Sequence, residues 1–89
     1  RVIDMRWIAP LAQDAIIAAI GARPVLIVDE CRRTGGQAEA LMALLQERGI
    51  DGYARLTAQD SFIATGPAYA ATLPSRESIV ASACALVGR

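Results

Sequence analysis

The sequence predicts an α/β domain with a small, open, mainly parallel sheet and helices on both faces. One observation and one general rule of chain connection lead to this prediction. Short runs of β-forming residues alternate along the chain with longer segments whose apolar residues have helical spacing. Connections between parallel strands are right-handed, which places the helices on both faces of the sheet. With 89 residues, the chain has room for one small domain, residues 1–89.

The N-terminal half is predicted to form a strand, a helix and a second strand. β-forming residues indicate a strand in the first half of residues 1–8. In the helix that follows, Pro10 fits the start, three isoleucines form one apolar face, and Gly21 fits the C-cap. The continuous apolar run at residues 25–28 is typical of a parallel strand that is covered on both faces.

The C-terminal half is predicted to contain two helices and one more strand. Residues 37–49 form the clearest helix, which ends at a glycine, and residues 52–57 form the third strand. A long irregular segment follows, with one helical turn around residues 67–71. Ser75 is the predicted N-cap of a last helix, residues 76–88. Three strands make a small sheet for so apolar a chain, so we expect an upstream strand-helix unit to be missing from this fragment.

Composition excludes several classes of function. The chain is 54% hydrophobic and 20% charged, which is enough apolar material for a core. Nine arginines balance nine acidic residues, and this zero net charge argues against a nucleic-acid or membrane partner. The absence of His removes the commonest general base and metal ligand. Two cysteines outside any C-x-x-C motif favour a reducing, cytoplasmic setting.

The segment "DECRRTGGQAEAL" is the strongest candidate for a site. Gly35 and Gly36 follow a strand and open a helix, where free amides could bind a phosphate. The spacing matches no phosphate-binding motif and no Lys is available, so a tight turn with close backbone approach is favoured. Asp29 and Glu30 could serve acid-base chemistry, but capping of the next helix or pairing with Arg is favoured. Cys31, beside two arginines and a helix start, is expected to have a lowered pKa.

Four motifs resemble a known family, the C-terminal domain of the transketolase superfamily. They are "VIDMRWIAPL", "VLIVDECRRTGG", "ARLTAQDSFIATGPA" and "LPSRESIVASA", and together they cover almost the whole chain. Their order and spacing are most similar to the decarboxylating component of thiamine-diphosphate-dependent 2-oxo acid dehydrogenases, in its β-type half. The spacing near "DECRRTGG" is similar to bacterial single-chain versions in which both halves are fused. Matches to the family pattern are Asp4, Arg6, Pro10, Leu11, Glu30, Gly35, Gly36 and Asp60; departures are Cys31, Ala64 and the short stretch at 37–39.

The resemblance implies that this domain is non-catalytic. In such enzymes thiamine diphosphate and Mg²⁺ lie between two other domains, so we expect no catalytic, cofactor-binding or metal residue here, although the parent is an oxidoreductase. The implied roles are subunit assembly and, in complex-forming members, docking to the dihydrolipoyl acyltransferase core. Implied partners are the remaining domains of the parent chain and further copies in a homo-oligomer. The candidate interface consists of Glu30, Arg32, Arg33, Gly35, Gly36, Asp60 and Phe62.

Two alternative assignments of this domain remain open. The same domain could belong to a transketolase or to a 1-deoxyxylulose-5-phosphate synthase, or the chain could be a free-standing α/β module that binds an anion.

Family members usually have one more strand and helix before "VID", and this chain lacks them. We therefore expect its sheet to expose an edge and to self-associate through it.

Overall fold

Strands and α-helices alternate along the chain, as the sequence predicts. The computed structural model describes residues 1–88. Its elements are α1 (Gln13–Ile20), β1 (Val25–Arg32), α2 (Gln37–Glu47), β2 (Tyr53–Ala58) and α3 (Arg76–Leu86), and a 3-10 helix, Gly66–Ala71, lies before α3. The α/β class and the open, parallel sheet that the sequence predicts are confirmed.

The two strands pair in parallel, and α2 is the crossover between them. The register runs from Val25 opposite Tyr53 to Asp29 opposite Thr57. An irregularity then separates Asp29 from Arg32, which lies opposite Ala58. β1 is longer than predicted, because it continues past the apolar run into charged residues. The carboxyl ends of both strands lie at the same edge of the sheet, so the loops that follow them are neighbours.

The core lies between α1, α2 and one face of the sheet. Its buried members come from both helices and from β1, and half-buried side chains from both strands pack against them. The buried members are Ile16, Ile20, Ile27, Ala38, Leu44 and Leu45. Leu45 is only 2% exposed. The apolar spacing in these helices therefore marks the faces that pack.

α3 covers the other face of the sheet. It contacts both strands, yet it contributes no residue to the core cluster described above. Because strand side chains alternate, Leu26 and Val28 point away from the face that holds Val25 and Ile27. The sheet thus has helices on both faces, as predicted. The spacing of Ile79, Val80, Ala83 and Val87 predicts one apolar stripe on this helix, but Val80 is 54% exposed.

Two predicted helix ends are confirmed by their cap geometry. Gly21 is the C-cap of α1, with φ +60°, and its amide donates to the Ile17 carbonyl. Ser75 is the N-cap of α3: its hydroxyl accepts from the Ser78 amide, and the Ser78 hydroxyl accepts from the Ser75 amide. The predicted helical turn near residues 67–71 is the 3-10 helix.

The strand predicted at the N-terminus is wrong. Residues 1–8 have no regular secondary structure, and the sheet of the described chain contains β1 and β2 alone. The segment nevertheless runs beside β1 in the same direction. Arg1 donates to the Ala19 carbonyl at the end of α1, and Gln37 at the start of α2 donates to the Ile8 carbonyl. A strand requires hydrogen bonds to a neighbouring strand, and in residues 1–88 the backbone of this segment pairs with neither β1 nor β2.

Candidate functional site

The N-terminus of α2 is occupied by a carboxylate from the same chain. Asp29 Oδ2 accepts a hydrogen bond of 3.2 Å from the Ala38 amide, in the first turn of the helix. Asp29 Oδ1 accepts from the Cys31 amide at 2.9 Å. A helix N-terminus attracts negative charge, and Asp29 supplies it from within the fold. This is the capping role that the sequence favours for an acid at the end of β1.

The paired glycines form the tight strand-to-helix turn that the sequence favours. Gly35 has φ +79°, a conformation that L-residues rarely adopt. Gly36 is needed for a different reason: a Cβ at this position would lie 2.8 Å from the Arg32 carbonyl oxygen and 3.2 Å from the Cys31 Cβ. The backbone passes close to the end of β1 here, and this brings Asp29 within reach of α2.

A second carboxylate joins the loops that follow the two strands. Asp60 lies after β2 and accepts hydrogen bonds from both the amide and the hydroxyl of Thr34, the former at 2.8 Å. The bond from the Thr34 hydroxyl is the largest cause of the lowered pKa of Asp60, and the amide bond adds to it. Arg32 Nε donates to the Ser61 carbonyl at 2.7 Å. The two loops are therefore held together by three hydrogen bonds.

Arg55 and Thr34 are site residues that sequence reasoning missed. Arg55 lies on β2, and its Nη1 donates to the Arg33 carbonyl at 2.7 Å and lies 3.8 Å from Glu39 Oε1. The feature that could have identified Arg55 is its charge, because it lies inside a strand whose residues are mostly half-buried. Thr34 carried the weaker signal of a hydroxyl residue before a glycine turn.

The expectation that Cys31 has a lowered pKa is wrong. The pKa of its thiol is raised, first by a hydrogen bond to the Asp29 carboxylate and then by the negative charge of that group. Arg32 acts in the opposite direction but is the smallest of the causes. The thiol is exposed but is held in its less reactive, protonated form.

The seven predicted interface residues lie along β1, its loop and the loop after β2. All except the half-buried Gly36 are exposed, and Phe62 is 81% exposed. The structure brings Arg32 to Ser61, next to Phe62, and it brings Asp60 to Thr34, next to Arg33. Within residues 1–88, no hydrogen bond or ion pair is made by the side chains of Glu30 and Arg33. Their charges are thus free to meet another surface.

A bound diphosphate needs free amides or basic side chains, and a bound metal ion needs clustered ligands. Residues 1–88 contain no group of three or more acidic, Cys or His side chains that could hold a metal ion. The helix terminus nearest the glycine turn already binds Asp29.

Comparison with known proteins assigns the family. A family model described as the transketolase C-terminal domain matches residues 1–79. The chain belongs to this family. The geometry at the end of β1 is therefore that of a transketolase C-terminal domain, and the resemblance inferred from the four sequence motifs is confirmed at this level.

A relative extends the comparison. The transketolase C-terminal domain is 40% identical over 50 residues to 1-deoxy-D-xylulose-5-phosphate synthase from Alcanivorax borkumensis. This match covers 55% of the chain but only 8% of the relative, so the chain spans a small part of that protein. No solved structure matches the chain. None of the helices in residues 1–88 is long and apolar enough to cross a bilayer.

Proposed function

We propose that this transketolase C-terminal domain is a non-catalytic assembly module of a larger thiamine-diphosphate-dependent enzyme. The observation that carries the proposal is the use of both well-placed carboxylates within the fold. Asp29 caps α2 and Asp60 joins two loops, so neither is free to act as an acid or base. At the same edge of the sheet, the Phe62 ring is exposed to solvent. The charged side chains of Glu30 and Arg33 are also exposed there, and they form no ion pair within residues 1–88.

The surface defined by Glu30, Arg32, Arg33, Gly35, Gly36, Asp60 and Phe62 is the assembly surface of this proposal. Aromatic and Arg side chains are enriched at the energetic centres of protein interfaces. Phe62 and Arg33 supply both kinds on loops that Asp60 and Arg32 hold in place. The partner of this surface is a neighbouring domain of the parent chain or a second subunit, because we propose that the parent enzyme is a homo-oligomer. In a complex-forming parent, the dihydrolipoyl acyltransferase core is a further partner.

Mutation of the assembly surface in the intact parent enzyme tests this role. Phe62→Ala should weaken subunit association at least about tenfold, as expected for an interface anchor. Tyr69→Ala, at another exposed aromatic outside this surface, is the matched control. Sedimentation velocity over a concentration series measures both. Unchanged association of the Phe62 variant would contradict the assembly role of this surface.

Cofactor binding by the isolated domain is a separate test. Calorimetric titration of the 89-residue chain with thiamine diphosphate and Mg²⁺ should give no heat of binding. Micromolar binding would overturn the non-catalytic assignment. This result does not depend on the identity of the parent reaction.

Two reactions are proposed for the parent enzyme. The order of the sequence motifs supports oxidative decarboxylation of pyruvate, a branched-chain 2-oxo acid or a relative, with acyl transfer to lipoyl-lysine. The partial relative supports the other candidate, synthesis of 1-deoxy-D-xylulose 5-phosphate. Mass spectrometry of the parent's products distinguishes them: an acylated lipoyl domain indicates the first reaction, and the sugar phosphate indicates the second.

A further inference from the structure

The loop between α2 and β2 contains the dipeptide Asp51–Gly52. Asp51 is the only aspartate of the chain that a glycine follows. Glycine lacks a Cβ, so its amide nitrogen can approach the preceding side chain with less steric hindrance than that of any other residue. Both residues are exposed, whereas the flanking Ile50 and Tyr53 are half-buried and pack against the core. The dipeptide therefore lies at the surface between two anchored neighbours.

Two groups of this dipeptide, the Asp51 carboxylate and the Gly52 amide, are held by no hydrogen bond. Within residues 1–88 the carboxylate forms no hydrogen bond or ion pair, and the amide donates to no acceptor. A Cβ placed on Gly52 would meet no atom within 4 Å, so the space around this residue is open. The amide nitrogen and the carboxyl carbon are therefore free to approach each other.

The other aspartates of the chain are held or hindered. The carboxylates of Asp14, Asp29 and Asp60 all accept hydrogen bonds within the fold. Asp4 is followed by Met5, whose Cβ hinders the approach of the amide nitrogen to the carboxyl carbon. Within residues 1–88, the fold thus combines a free carboxylate with a free glycine amide at Asp51 alone.

We propose that Asp51–Gly52 is a modification site, at which the chain forms a cyclic imide and then an isoaspartyl linkage. The Gly52 nitrogen bonds to Cγ of the neutral Asp51 carboxyl group, and the carboxyl hydroxyl leaves as water with the amide proton. Water then adds to one of the two imide carbonyl carbons and breaks the bond from that carbon to the nitrogen. Addition at Cγ restores aspartate. Addition at the former main-chain carbonyl carbon leaves the chain linked through Cγ and releases that carbon as a carboxylate.

The new linkage lies where the sheet begins. The Val25 amide donates to the Gly52 carbonyl at 2.9 Å, and the Tyr53 amide donates to the Asp51 carbonyl at 3.0 Å. Val25 and Tyr53 are also the first pair in the register of the two strands. An isoaspartyl residue lengthens the main chain by one carbon and turns the Asp51 carbonyl into a carboxylate, so both hydrogen bonds are displaced. The modification therefore loosens the first pair of the sheet and leaves the later pairs in place.

Incubation of the 89-residue chain in mildly acidic buffer tests the site, because only the neutral carboxyl group loses its hydroxyl as water. Mass spectrometry should detect a form of the chain that is lighter by one water. After transfer to neutral buffer, peptide mapping should place isoaspartate at Asp51, and a protein isoaspartate methyltransferase should methylate the product. In that product the Val25 amide should lose protection from hydrogen exchange, whereas the Ile27 amide should keep it. Absence of both imide and isoaspartate at Asp51 overturns the proposal.

Two variants locate the reaction. Gly52→Ala adds a Cβ beside the attacking nitrogen and should slow imide formation at least about tenfold. The open space around this residue accommodates the added Cβ, so the variant keeps the fold. Asp51→Glu retains the negative charge but would have to close a larger ring, and it should show a similar loss. An unchanged rate in Gly52→Ala, or isoaspartate at Asp60 as abundant as at Asp51, overturns the assignment to this dipeptide.

Discussion

Asp60 and Thr34 join the two loops at the carboxyl end of the sheet, with the carboxylate accepting from both the amide and the hydroxyl of one residue. The two residues are separated by 26 positions and follow different strands. The contact therefore depends on the packing of β1, α2 and β2, which brings the two loops together. It fixes the loops that carry the predicted assembly surface.

Asp60→Asn should destabilise the chain near neutral pH and should lose this effect in acid. The pKa of Asp60 is lowered in the folded state, so its stabilising effect is present above the unfolded pKa of about 3.9 and disappears as the pH falls through the folded value. Urea unfolding by circular dichroism at pH 7 and at about pH 3 measures the difference. Asp51→Asn is the control, and an equal effect of Asp60→Asn at both pH values would contradict the mechanism.

Gly36→Ala should destabilise the chain through a steric clash. The added Cβ would lie 2.8 Å from the Arg32 carbonyl oxygen, and backbone cannot move aside cheaply. We expect a loss of about 1–3 kcal/mol in the free energy of unfolding, as for other overpacked sites. Gly52→Ala is the control, because no atom lies within 4 Å of its added Cβ and its φ is not positive. Similar unfolding midpoints for the two variants would contradict this account.

Asp29→Asn should make Cys31 more reactive. The Asp29 carboxylate is the main cause of the raised thiol pKa, so removing its charge lowers that pKa and increases the thiolate fraction near pH 8. The rate of alkylation by iodoacetamide against pH measures this in a Cys84→Ala background. Glu30→Gln should give a smaller effect, because Glu30 is a lesser cause. A pH profile that does not move in the Asp29 variant would refute the assignment.

Leu45→Ala should cost about 2–5 kcal/mol of stability, as is usual when a fully buried leucine leaves a cavity. Leu45 is 2% exposed and belongs to the core between α1, α2 and the sheet. Val80→Ala, at a position that is 54% exposed, should change stability by less than about 0.5 kcal/mol. Denaturant titration of both variants tests whether this cluster is the centre of stability.

Local chemistry made part of the fold predictable. The caps at Gly21 and Ser75 depend on one residue and its immediate neighbours, and both were predicted correctly. The tight turn at Gly35 and Gly36 could also be predicted from the sequence, because no known phosphate-binding motif fits the spacing of these glycines. A strand at residues 1–8 was predicted wrongly, since β-propensity does not reveal whether a neighbour is present to pair.

The candidate site was less predictable, because its contacts are tertiary. Two arginines next to Cys31 indicated a lowered thiol pKa, but sequence cannot show that the Asp29 side chain turns toward the thiol. Thr34 and Arg55 act through partners in other elements, Asp60 and the Arg33 carbonyl. Such pairs become visible only when the strand register is known.

α1 is anchored to the fold by Ile16 and Ile20, the two buried residues of this helix. The helix has only eight residues, and an isolated helix of this length is marginal in water. Its order therefore depends on the contacts that these two isoleucines make with the core. The exchange rates of the α1 amides would report how often those contacts open.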